Sequence, residues 1–207
     1  MSGIHFSEGG LNREETSTFD GVLLAGGHSR RMGQDKACLS LPSGEVLWRR
    51  QWALLETSGA SRRWLSVRPE QTWPPADVER VSDRVADGGP LDGIVAAWDR
   101  SDATHLLVLA VDLPNLPVAW FTRLRQACAP GAGAVGRSDD GRFEPLAAIY
   151  PRTWLTEWAT ALGAGRRSLQ HLVRLAAERS ELAVVPIQAD RAAWFHNLNR
   201  PEDLVGV

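Results

Sequence analysis

The chain has 207 residues, with 23 basic against 25 acidic side chains and a formal net charge of −2. That length suits one sizeable domain whose core needs no disulfide or metal to hold it. A hydrophobic fraction of 43% with 23% charged residues excludes wholesale disorder, and the near-balance of charge argues against a general nucleic-acid binder. Nine Trp against one Tyr is the oddity of the composition, and it invites the idea of an indole stacked on a base. Two cysteines, Cys38 and Cys128, lack disulfide-framework or zinc spacing and predict free thiols in a reducing compartment. No apolar run reaches the length of a membrane span. Met1 to Phe19 lacks the basic start and apolar middle of a signal peptide and reads as a frayed tail. The expectation is a cytoplasmic protein, a tail over 1–19 and one domain over 20–207, with neither nucleic acid nor membrane as a partner.

In chain order, Gly21 to Ala25 is a short apolar run that predicts a buried strand, and Val46 to Thr57 a helix. Trp64 to Val67 and Val78 to Ser82 read as strands, Leu91 to Asp99 as a helix, and His105 to Val111 as the most apolar strand. Leu116 to Cys128 is helical; strands follow near Ala134 and Val135 and over Leu146 to Tyr150. Two helices, Trp154 to Leu162 and Ser168 to Arg179, precede a last strand over Leu182 to Ile187. Continuous apolar strands alternating with helices predict an α/β fold, a mostly parallel sheet covered on both faces. In such folds ligands bind beyond the carboxyl ends of the strands, so chemistry is sought there.

The first strand runs directly into Leu24-Ala-Gly-Gly-His-Ser-Arg-Arg-Met-Gly-Gln-Asp-Lys36. Gly26 and Gly27 permit backbone conformations and close ligand approach that a side chain blocks. Arg30, Arg31 and Lys36 add cations to a loop whose amides can face phosphate oxygens. A triphosphate needs both; a plain structural turn with solvated basic residues is the competing reading. The segment is neither a P-loop, because Gln34 and Asp35 follow Gly33, nor a dinucleotide fingerprint, because its first two glycines are adjacent. Asp112 follows the most apolar strand, where a carboxylate is costly unless it lies at the strand end or meets a cation. Mg²⁺ prefers one or two carboxylates with phosphate oxygens and water, which one Asp there supplies; the alternative is a cap on the next helix. Asn197 and Asn199, two apart, face one way on an extended segment and either read a ligand edge or tie down a loop. Arg166 and Arg167 offer a cationic patch or simply solvated charge before the cap at Ser168.

The loop, with Ala37 after it, resembles the signature of the MobA family of molybdenum cofactor guanylyltransferases, within the nucleotidyltransferases of Rossmann-like fold. Four further segments keep the family's order: Asp83 with Gly89-Pro-Leu-Asp-Gly93, Leu109-Ala-Val-Asp-Leu-Pro114, Glu144-Pro-Leu-Ala147, and Phe195 to Leu204 with Asn197-Leu-Asn199. The resemblance implies a Rossmann-like three-layer sandwich, with a nucleotide-binding half over 20–115 and an acceptor-binding half over 116–207. It implies that Leu24, Ala25, Gly26 and Gly27 hold the nucleotide, that Lys36 meets its phosphates with Arg31 as a second cation, and that Asp112 is the Mg²⁺ ligand. Ser66 and Asp83 would complete the nucleotide pocket, with glycines 89 and 93 letting the backbone approach the base. Asn197 and Asn199 would bind the acceptor. The implied reaction transfers GMP from GTP to the terminal phosphate of molybdopterin and releases pyrophosphate; other cofactor-biosynthesis proteins or molybdoenzymes would receive the product.

Two departures stand out: Asn199-Arg200-Pro201 where the family has Asn-Thr-Pro, and Asp92 where Ala is more common. A cytidylyltransferase acting on the same pterin, a sugar- or polyol-phosphate nucleotidyltransferase, and a non-catalytic GTP-binding partner protein remain alternatives. The doubled Gly26-Gly27 and the Gly-Pro-Leu segment favour guanine, and Lys36 with Asp112 favour turnover. None of the nine Trp lies in the resembling segments, and Trp48, Trp52, Trp154 and Trp158 sit in pairs four apart on expected helices. Packing is therefore the expectation for most of them.

Overall fold

The computed structural model describes residues 17–27, 35–82, 84–85, 88–199 and 203. Strands β1 (Phe19–Leu24), β2 (Arg63–Val67), β3 (Arg80–Ser82), β4 (His105–Ala110), β5 (Gly133–Arg137), β6 (Ala147–Pro151) and β7 (Leu182–Pro186) form one sheet. Its order is β3-β2-β1-β4-β6-β5-β7. β1 pairs in parallel with β2 and β4, β2 with β3, and β5 with β7; β6 alone runs against its neighbours β4 and β5. The expected mostly parallel sheet is therefore present.

Buried strands of this kind need apolar side chains on both faces, and β1 and β4 show the alternation. Leu23, Leu107 and Leu109 point to one side with α1 (Leu47–Thr57) and α3 (Val118–Ala127). Val22, Leu106 and Val108 point to the other, with α2 (Gly89–Trp98), α4 (Leu155–Gly163) and α5 (Leu169–Glu178). The result is three layers, helices on both faces of the sheet. Ser168 caps α5 by accepting from the His171 amide, as its position in the sequence suggests. Among the described residues no helix is long and apolar enough to cross a membrane.

Each expected element appears, with bounds shifted by no more than two residues. One boundary differs in substance. The expected tail reached Phe19, but Phe19 opens β1, is buried and stacks on His105 with ring centroids 5.2 Å apart. An apolar ring with a buried partner belongs to the core; residues 1–16 lie outside the described residues. A 3-10 turn over Ala189–Phe195 had no counterpart among the expected elements. The Trp excess packs: Trp64, Trp98, Trp120 and Trp158 are fully buried. Trp158 lies within 5.5 Å, centroid to centroid, of Trp98, Tyr150 and Trp154, the spacing of interlocked aromatic side chains. Cys38 and Cys128 are free thiols, and burial pushes Cys128 up to about 11.

Candidate active site

The carboxyl ends of β2, β1 and β4 lie side by side, and the chain leaves β1 between the other two. The Ala25 amide donates to the Ser66 carbonyl at 2.8 Å, and the Val111 amide to the Leu24 carbonyl at 3.0 Å. These bonds carry the sheet pattern one residue past the strands before Gly26 and Gly27 break it. A cavity of about 380 Å³ opens there, within the usual range for small-ligand sites. Leu24, Ala25, Gly26, Gly27, Lys36, Ser66 and Asp112 all line it, together with Arg68, Gly89, Pro90 and Leu146.

Three distant segments supply the polar centre. Lys36, at the start of a 3-10 turn over Lys36–Cys38, places its Nζ 3.1 Å from Asp112 Oδ2 and 3.4 Å from Asn199 Oδ1. The lysine and aspartate side chains are only 15% and 25% exposed, so solvent screens them less than a surface pair. Asp112 does not cap the next helix, because α3 begins at Val118 behind Pro117. The stretch before Asn199 is fixed from both sides: Leu198 is buried and its amide donates to the Asp112 carbonyl at 2.9 Å. The Asn199 amide donates to Asp203 Oδ2 at 2.7 Å. Asp112 is the carboxylate at this edge that would hold a divalent cation, with the Lys36 ammonium beside it.

Other expected residues fall elsewhere. Arg31 and Asp83 lie outside the described residues. Asn197 is exposed and makes no hydrogen bond among the described residues, whereas Asn199 turns to Lys36. Arg166 and Arg167 are exposed ahead of α5 and are not among the described lining residues of the cavity. Gly89, at φ +67°, lines the cavity and adopts a conformation that favours glycine. Gly93 has a different reason from the one expected. A Cβ there would overlap Ser66 Oγ and come within 2.8 Å of Leu24 Cδ2, so its small size lets α2 lie on β1 and β2. Burial raises the Glu144 carboxyl above its ordinary range, an effect opposed by Arg142.

Several supporting residues had no role assigned from the motifs. Arg68 Nη1 donates to the carbonyls of Gly26 and Gly27 at 2.5 and 2.7 Å. Gln71, buried, donates to the Ala25 carbonyl at 3.0 Å and to Asp35 Oδ2 at 2.5 Å, and Trp73 Nε1 donates to the same oxygen at 2.8 Å. Asp35 Oδ1 accepts from the Ala37 amide, capping the turn that presents Lys36. Asp92, fully buried, accepts from the Arg84 and Val85 amides at 2.7 and 2.8 Å. A Cβ on Gly88 would sit 2.5 Å from that carboxylate. Arg68 carried one readable hint: it follows the strand beside β1, so register puts it next to the glycine turn.

Residues 21–189 match the family described as the MobA-like NTP transferase domain. A probable molybdenum cofactor guanylyltransferase of Opitutus terrae is 43% identical over 190 residues, covering 90% of this chain and 93% of that protein. The molybdenum cofactor guanylyltransferase of Rhizobium johnstonii is 32% identical over 199 residues, covering 92% of each. Among solved structures, the molybdopterin-guanine dinucleotide biosynthesis protein A of Archaeoglobus fulgidus superposes with a TM-score of 0.68 at 22% identity. That match covers 90% of this chain and 95% of that one.

Proposed function

This chain belongs to the family of MobA-like NTP transferases, and we propose that it joins GMP from GTP to the terminal phosphate of molybdopterin in molybdenum cofactor biosynthesis. The carrying observation is the pairing of Lys36 with Asp112 on the wall of a cavity that Gly26 and Gly27 also line, with Asn199, from a third part of the chain, bonded to the lysine. The names of the two relatives support a guanylyl group and the molybdenum cofactor as what is joined.

In this reading an oxygen of the acceptor phosphate attacks the α-phosphorus of GTP. The bond from that phosphorus to the oxygen bridging to the β-phosphate breaks, and pyrophosphate leaves with the electron pair. The nucleophile is already ionised, so catalysis rests on alignment and on charge stabilisation. Gly26 and Gly27 let the polyphosphate approach the main chain, and Lys36 gives a compact point charge to its oxygens. A bound Mg²⁺ would be held by Asp112 and would offset charge on the reacting phosphates. Asn199, bonded to Lys36, sets the acceptor beside the nucleotide, with Asn197 reading the pterin. Ser66 and Asp83 complete the nucleotide side, and Arg31 is a second cation for the phosphates. We assign the reaction to the cytoplasm, with the product passing to other cofactor-biosynthesis proteins or molybdoenzymes.

Pyrophosphate release measured with each nucleoside triphosphate and molybdopterin tests the reading. Turnover with GTP is expected. Turnover with CTP alone would replace it by the cytidylyl reaction, and tight GTP binding without turnover would point to a partner protein.

A further inference from the structure

We propose that Arg68 is a nucleotide-binding residue: it holds the carbonyls of Gly26 and Gly27 through Nη1 of its guanidinium and offers Nη2 to the polyphosphate. The inference rests on the nucleotide reading of the cavity.

A guanidinium presents five donors in a rigid planar fork. In Arg68, Nε donates to Glu70 Oε1 at 2.7 Å, and Nη1 is shared between the carbonyls of Gly26 and Gly27. Nη2 makes no bond among the described residues, and the side chain lines the cavity while only 18% exposed. A half-buried cation with donors to spare, on the wall of a site for a polyanion, is placed to pair with that anion.

The two carbonyl bonds have their own consequence. Adjacent glycines have little conformational preference, so an unsupported turn would have to be ordered each time a ligand bound. In a planar trans peptide the N–H of Gly27 points opposite to the carbonyl of Gly26. Fixing that carbonyl on the guanidinium therefore fixes the direction of the amide. Gln71 extends the brace: its Oε1 accepts from the Arg68 amide at 2.6 Å, while its Nε2 joins Ala25 to Asp35. Both ends of the loop that leads to Lys36 are thus tied to the Arg68–Gln71 corner. Order set before binding lowers the entropy cost of binding.

Calorimetric titration of the full chain with GTP, GMP and guanosine, in the presence of Mg²⁺, tests this. Arg68→Ala is expected to weaken GTP by about tenfold or more, the loss of a charge-assisted bond, and to affect guanosine least. Arg68→Lys, which keeps the charge but not the fork, should fall between. Arg68→Ala binding GTP within twofold of wild type, or weakening all three ligands equally, would overturn the proposal, the second result marking a purely structural role. Glu70→Gln covers the case in which Arg68→Ala fails to fold. Removing the carboxylate that shares the guanidinium should tighten GTP by about two- to threefold and leave guanosine unchanged; unchanged or weaker GTP binding would count against Arg68. Wild type that binds no GTP at all would refute the nucleotide reading itself.

Discussion

The two sides of the sheet reach the cavity by different means. On the β3-β2-β1-β4 side all strands are parallel, so their carboxyl ends share one edge, and Gly26, Gly27, Ser66, Arg68 and Asp112 arrive together. On the other side β6 runs backwards, so its beginning lies at that edge: Ala147 pairs with Leu109, and the Ala110 amide donates to the Leu146 carbonyl. Leu146 lines the cavity as a result, and Asn199, far down the chain, reaches the site only through its bond to Lys36. The first side thus offers a rigid row of strand ends, suited to a polyphosphate whose oxygens must be fixed. The second offers one reversed strand and the stretch that ends at Asn199, the side on which the proposed reaction seats its acceptor.

That contrast can be broken at several points. The largest effect is expected for Asp112→Ala, with turnover falling by about a hundredfold or more while the fold persists; turnover within a few-fold of wild type would remove the metal role from Asp112. Next come the two asparagines. Asn197→Ala should raise KM for molybdopterin alone, whereas Asn199→Ala, which also loses the bond to Lys36, should raise it and lower kcat, each by about tenfold. Identical behaviour in steady-state kinetics would mean that the bond from Asn199 to Lys36 does not couple the two sides. Gly93→Ala forces a methyl between α2 and Ser66 and should cost about 1–3 kcal/mol of stability in urea unfolding; a neutral result would mean that the helix can move off the sheet.

The smallest effect is at the opposite edge. Burial holds His105 below its ordinary 6.5, where its ring meets the Ala132 carbonyl and Thr104. A lowered histidine binds protons more readily when unfolded, so its share of stability is kept above about 6.5 and is lost as pH falls below it. Urea midpoints of wild type and His105→Gln should therefore differ in slope between pH 7.5 and 5.5, with GTP affinity unchanged; parallel profiles would remove the effect.

The central strands β1 and β4 were legible because a strand covered on both faces is apolar along most of its length. Asp112 was legible because a carboxylate ending such a run needs a cation or water. The glycine turn and Lys36 were legible for the same kind of reason, since each residue type carries its own chemistry. Arg68, Gln71 and Asp92 were not, because they act on main-chain carbonyls and amides. A carbonyl has no residue identity, so the sequence marks its partner at most by position, as register does for Arg68 after β2. Gly93 was legible as a close approach but not as to what approaches: the space it leaves belongs to Ser66 and Leu24.

The most direct test of the central claim is an experimental structure of the chain with GTP and Mg²⁺. The triphosphate is expected over Gly26 and Gly27, with Lys36 and Arg68 on its oxygens and the cation on Asp112. A nucleotide bound elsewhere, or one in this cavity whose phosphates meet neither Lys36 nor Asp112, would contradict it.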